Sequence, residues 1–287
     1  MGSVTASFRC LRRLGTFARL RAAADHHGGI IMHRNLVLGF GVVAYGVFFA
    51  TFLYLIGFLS GVGVPKSIDS GTAGSLGAAI LIDTLLLLAF GVQHSVMARP
   101  RFKAWWTRFV PRPIERSMYV LASSLVLIAL YVAWQPIPAP VWETTRPVAR
   151  GGLTALFFGG FGLVLFSTFL IDHFDLFGLR QVVLFFRERA YSEKRFVMPL
   201  LYRFIRHPLY VGWFIAFWAT PTMSAGHFLL ALVMTAYMLV AIPMEERDLE
   251  ALHGESYRRW RERTPAFVPR VGGTGRETSP PVGVETV

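Results

Sequence analysis

The chain has 287 residues, 54% of them hydrophobic and 16% charged, with a formal charge of +12 and a mean hydropathy of +0.48. This is too apolar for an ordinary soluble domain of that length and points to an all-α, polytopic membrane protein. One cysteine, Cys10, excludes intramolecular disulfides and Cys-rich zinc sites and argues against a cysteine nucleophile.

In chain order, residues 1–33 form an Arg- and Ala-rich arm with almost no acid, ending near His26 and His27. The arm lacks the apolar core of a secretory signal and reads as a disordered extension, with Met32 a second candidate start. Four windows then meet the ~20-residue requirement for a spanning helix: Asn35–Leu59, Gly74–Met97, Ser117–Trp134 and Gly152–Ile171. Two shorter ones, Leu209–Met223 and His227–Pro243, joined by Ser224-Ala225-Gly226, read as a helical hairpin. An amphipathic helix on the cytoplasmic side follows. Trp105, Trp106, Trp134 and Trp142 fall at expected helix ends and suit interfacial belts. The tail 271–287 reads as disordered, which leaves 34–270 as the membrane domain.

The basic excess is not spread evenly. Of 29 Lys and Arg, 26 lie in the arm, the tail or the loops on one side of these spans, and only Lys66, Arg146 and Arg150 lie on the other. The positive-inside rule then sets both termini in the cytoplasm. The charge is topology plus attraction to anionic lipid, not a groove for nucleic acid.

Polar residues in and beside the spans are the candidates for chemistry. Gln93, His94 and Ser95, at the end of the second span, either line a cytoplasm-facing cavity or bond neighbouring helices. Asp83 lies deeper and calls for a buried partner or a protonated form. After the fourth span come Asp172, His173 and Asp175. Without a second cluster at ligand spacing they do not make a metal site, and pairing of Asp172 or Asp175 with Arg180 is the better reading. Residues 181–189 read as an interfacial segment.

Arg206-His207-Pro208-Leu209-Tyr210-Val211-Gly212 places a proline in the first turn of a helix, His207 at its N-cap, and a glycine one turn on. Such a helix start suits an anionic group, or is simply a kinked span start. Beyond the hairpin, Pro243 marks a kink or helix start before Glu245 and Glu246. Glu246, Leu249, His253, Tyr257 and Trp260 then recur on one inward stripe.

These two segments, with the apolar hairpin between them, resemble the C-terminal core of the isoprenylcysteine carboxyl methyltransferase and phospholipid methyltransferase superfamily. Further blocks are Val64–Asp69, Gln93–Lys103, Phe174–Gln181 and Trp218–His227. They resemble, more narrowly, a bacterial family of methanethiol S-methyltransferases related to the NnrU membrane proteins. The resemblance implies an S-adenosylmethionine core over residues 203–265, with Arg206, His207, Pro208, Leu209, Tyr210, Gly212, Glu245, Glu246 and Tyr257 around the cofactor. It also implies a small thiol acceptor near Gln93, His94, Ser95, Asp172, Arg180 and Trp218, with His173, His94 or an acid such as Glu246 taking the thiol proton. One departure stands out. The carboxyl methyltransferases carry an arginine shortly before the acidic pair, near the substrate carboxylate, whereas this chain reads Leu239-Val-Ala-Ile-Pro-Met. Methylation of methanethiol to dimethyl sulfide is therefore expected. The alternatives are an isoprenoid or lipid acceptor, or a non-catalytic protein of nitrogen-oxide metabolism.

Overall fold

A computed structural model describes residues 33–192 and 198–269; the arm with His26, His27 and Cys10, and the tail, lie outside the described residues. Helix α1 spans Arg34–Ser60, α2 Leu76–Ala98, the short α3 Pro100–Trp106 and α4 Arg112–Ala133. Strand β1 (Pro140–Glu143) precedes α5 (Pro147–Ile171), α6 (His173–Leu176) and α7 (Leu179–Phe186). A 3-10 turn at Leu200–Arg203 leads into α8 (Pro208–Trp218), β2 (Thr222–Ser224), α9 (Ala225–His253) and α10 (Glu255–Arg263). Among the described residues five helices, α1, α2, α4, α5 and α9, are long and apolar enough to cross a bilayer.

Each long helix presents apolar side chains to both lipid and bundle. On α2, Leu81, Leu85, Leu88, Val92 and Val96 form an outward stripe at helical spacing. Its inward residues Asp83, Leu87 and Gly91 are buried. Lipid tails are as apolar as leucine, so helix association rests on close packing and small residues. The clearest case is the crossing of α5 and α8. A Cβ on Gly160 would meet the Ala216 nitrogen at 2.6 Å, and one on Gly212 would meet the Val164 nitrogen at 2.8 Å.

The two ends of the bundle differ. At the end carrying Lys66, that side chain donates to the Val132 and Trp134 carbonyls at 2.7 and 3.0 Å, capping α4. Asp83 belongs here: its Oδ1 accepts the Gln135 backbone N–H at 2.9 Å, while its Oδ2 is buried without a hydrogen-bond partner. Trp134 is not an interfacial belt residue. It is fully buried against Phe58 and donates to the Ile68 carbonyl at 3.1 Å.

Strand β1 pairs antiparallel with β2 at this same end, which places the hairpin turn beside the α4–α5 connection. The α8–α9 hairpin therefore crosses to the far side. This small sheet was not anticipated, because four residues of strand carry too little periodicity to be read.

Two expectations about the C-terminal region are corrected. Pro243 neither starts nor ends a helix, because α9 runs through it to His253, about 44 Å in 29 residues. Proline removes one internal hydrogen bond, a loss that packed membrane helices tolerate. The expected single amphipathic helix is instead two. Gly254, at φ +58°, breaks the chain between α9 and α10. The inward stripe survives the break: Tyr257 is fully buried and Glu246, Leu249, His253 and Trp260 are partly so.

Candidate active site

The end opposite Lys66 collects the polar residues. Pro208 opens α8, and His207 stands at its N-cap without a side-chain capping bond. The residues before it are pinned from the C-terminal side. Arg206 and His207 donate their backbone N–H groups to the Pro265 and Ala266 carbonyls at 2.9 and 3.1 Å. The Arg206 guanidinium also donates to the Arg261 and Thr264 carbonyls at 2.8 and 2.9 Å.

The two motif segments meet directly. His207 Nε2 lies 2.9 Å from Glu246 Oε1, and Arg206 Nε pairs with the same oxygen at 2.9 Å. One turn into α8, the Tyr210 hydroxyl donates to Glu245 Oε2 at 2.7 Å. Tyr257 on α10 is buried below, its hydroxyl held well above the ordinary phenol range by burial and then by the charges of Glu246 and Glu245. Arg206, His207, Tyr210, Glu245, Glu246 and Tyr257 thus form one clasp between α8, α9 and α10. Gly212 is spent differently: its missing side chain admits the backbone of α5.

The end of α2 adjoins the clasp. Arg99 pairs with Asp248 on α9 at 2.8 Å, and Ser95 donates to the Tyr237 hydroxyl at 3.1 Å. The Tyr237 ring lies against Gly91, 3.0 Å from where a Cβ would stand. His94 sits with the Tyr119 hydroxyl 3.0 Å from its ring nitrogens and stacks on Phe90. Gln93 donates to the Met97 sulfur at 3.1 Å, and its side-chain oxygen is buried without a partner.

Other expected site residues are placed elsewhere. His173 is buried on the α1–α5 side, with Tyr45 Oη 2.9 Å from Nε2, Thr168 Oγ1 2.8 Å from Nδ1, and Phe169 stacked on its ring. Burial holds its pKa below the usual imidazole value, against a smaller opposing pull from Asp172. Asp172 caps α6, accepting from the Asp175 backbone at 3.2 Å. Arg180 takes Asp175 as its partner, at 3.0 Å. Trp218 ends α8, ten residues or about 15 Å along the helix from Pro208, and donates to Thr235 Oγ1 at 2.9 Å. It is not beside the clasp, because α8 runs away from the polar end.

A bundle of membrane-crossing helices, clasped at one end by ion-paired and hydroxyl-bearing side chains from its last three helices, defines a polytopic membrane protein with a built polar site. The isoprenylcysteine carboxyl methyltransferase (ICMT) family matches residues 176–251, which span both halves of that clasp. A methanethiol S-methyltransferase of Crocosphaera subtropica is 49% identical over 84% of this chain and 94% of its own length. Methanethiol S-methyltransferase 1 of Bradyrhizobium diazoefficiens is 46% identical over 93% of this chain and 96% of its own. The Mycobacterium tuberculosis methanethiol S-methyltransferase is 49% identical over 83% and 98%. No solved structure matches. The chain belongs to the methanethiol S-methyltransferase family and is a membrane methyltransferase.

Sequence reasoning missed Tyr119, Tyr202 and Tyr237. Only the fold brings the Tyr119 hydroxyl to His94 and the Tyr237 hydroxyl to Ser95, and sets Tyr202 where Trp260 donates to its carbonyl. The Arg99–Asp248 pair was equally hidden, since its partners are 149 residues apart.

Proposed function

We propose that the protein transfers a methyl group from S-adenosylmethionine to methanethiol, giving dimethyl sulfide, at the cytoplasmic face of a bacterial inner membrane with both termini inside. The observation that carries the reading is the clasp itself: His207 on Glu246 and Tyr210 on Glu245 join the two motif halves into one site. When bound, S-adenosylmethionine supplies a methyl group activated on a sulfonium sulfur. The residues present fit such a group. Among the described residues no cation pairs with Glu245, so a positive ligand would complete it. The first amides of α8 face the polar end and suit a carboxylate.

The segment before the acidic pair supports a small apolar acceptor. Leu239, Val240, Ala241, Ile242, Pro243 and Met244 offer no counter-charge for a carboxylate. A volatile thiol needs none and reaches the site from lipid.

Attack requires the thiolate, so a proton must leave the thiol. Glu246 is taken up by Arg206 and His207, and His173 lies on the α1–α5 side rather than beside the clasp. His94, on the helix end that reaches Tyr237 and Asp248, is the residue we assign as proton acceptor. The remaining work is approximation in a site shielded from water.

Membranes containing the protein should retain labelled S-adenosylmethionine, and His207→Ala should abolish retention. Retention that survives this change would remove the clasp from cofactor binding. Faster methylation of a prenylated thioether carboxylate than of methanethiol would transfer the assignment to the isoprenoid alternative.

A further inference from the structure

The two ring nitrogens of His94 do not have the same neighbours. Nδ1 faces two hydroxyl oxygens, Tyr119 Oη at 3.0 Å and Ser123 Oγ at 3.4 Å. Nε2 has Tyr119 Oη alone among the described residues, also at 3.0 Å. The Tyr119 hydroxyl donates to the His94 carbonyl at 3.4 Å. With its proton directed there, the phenol oxygen is left to accept a ring N–H. The nitrogen that donates to it is then Nδ1, which Ser123 also serves.

The ring is held on two sides. Phe90, one turn earlier on α2, stacks on it with centroids 5.3 Å apart, and the Tyr119 ring tilts against it at 5.2 Å. Tyr119 itself is buried in the α4 interface. Positive charge lies beside the pair. The Arg116 guanidinium stands over the Tyr119 ring, 5.9 Å from its centroid, and among the described residues no carboxylate pairs with it. Arg99 folds back onto the Ser95 carbonyl at 3.2 Å and shares its charge with Asp248 at 2.8 Å. Uncompensated positive charge at this place favours a thiolate over its thiol.

We infer that Tyr119 is the positioning residue of the acceptor side: with Ser123 it holds His94 as the Nδ1–H tautomer and leaves Nε2 for the thiol proton, while Arg116 favours the thiolate. The inference rests on the assignment of His94 under the proposed function, and names the nitrogen and the partners that make it an acceptor. A neutral imidazole takes a proton only at the nitrogen that lacks one. In the step the thiol S–H bond breaks and its proton passes to Nε2. An electron pair of the thiolate forms the new carbon–sulfur bond, and the pair of the breaking bond stays on the donor sulfur.

The test is kcat for methanethiol from about pH 7 to about pH 9.5, with the full-length protein in lipid nanodiscs. Each variant is read as a ratio to wild type, so that titration of shared neighbours cancels. Those neighbours are Arg116 and Glu115 on α4, Arg99 on α2, Lys103 on α3, and Tyr237 and Asp248 on α9. A thiolate needs no base, so a defect in proton removal fades as pH rises, whereas a packing defect does not. At about pH 7, H94N should lose about 100-fold and Y119F about ten-fold. R116Q, which leaves both hydroxyls in place, should lose about three-fold. Each loss should shrink toward wild type by about pH 9.5, and retention of labelled S-adenosylmethionine should stay within about two-fold throughout. Full activity in Y119F, a Y119F loss that holds at every pH, or one that takes donor retention with it would overturn the positioning role. No loss in R116Q would overturn the part given to Arg116. Full activity in H94N would overturn the base assignment and the inference with it. Wild-type protein that methylates no methanethiol would overturn the proposed function itself.

Discussion

His173 shows how a side chain that looks chemical in sequence becomes structural in the fold. An imidazole beside two carboxylates invites a catalytic reading, but its nitrogens face Tyr45 and Thr168 and its ring stacks on Phe169. Burial depresses its folded pKa below the unfolded value of 6.5, so the folded state resists protonation. Its contribution is therefore complete above about pH 6.5 and lost as pH falls below it. Thermal stability in detergent should decline from about pH 6.5 downward, and His173→Gln should flatten that part of the profile. An unchanged slope in the variant would assign the decline to other groups. At this scale the motif pair was legible because Arg206–Tyr210 and Glu245–Glu246 are polar segments at the two ends of an apolar hairpin. Which acid takes which partner was not, because adjacent residues on a helix point about 100° apart and only the packed neighbours decide.

Helix packing carries the next level. Gly160 and Gly212 let α5 and α8 approach until backbone meets backbone, and this crossing sets the angle at which α8 delivers His207 and Tyr210 to α9. Gly212→Ala would push a methyl group to 2.8 Å from the Val164 nitrogen and 2.9 Å from the Gly160 carbonyl. Backbone cannot yield as a side chain does, so the change should cost about 1–3 kcal/mol and weaken cofactor binding. Gly46→Ala on α1, with nothing within 4 Å of the added atom, is the control and should be tolerated. Melting of the two variants in the same detergent checks the contrast; equal melting temperatures would mean that the crossing has slack. The spans were legible from hydropathy because a bilayer demands long apolar runs. The passage of α9 through Pro243 was not, since proline's effect depends on the packing around it. The break at Gly254 was equally hidden, because a glycine alone does not announce a positive φ.

Across the whole molecule, charge and chemistry share one end. The described cationic side chains Arg99 and Arg206 hold partners in and beside the clasp and Arg180 holds Asp175 away from it, while Lys66 caps α4 at the other end. The 26-to-3 imbalance of basic residues read from the sequence therefore marks the end where the site is built. On the proposed reading that end faces the cytoplasm, where S-adenosylmethionine is made, and a small thiol arrives from lipid. What the sequence could not show is the contact between α2 and α9 that brings Ser95 to Tyr237 and Arg99 to Asp248. The account as a whole is tested most directly by supplying purified protein in nanodiscs with methyl-deuterated S-adenosylmethionine and methanethiol and analysing the headspace. Trideuterated dimethyl sulfide should accumulate with wild type and fall at least about 100-fold with His207→Ala. No labelled dimethyl sulfide from a wild-type protein that binds the donor would contradict the account.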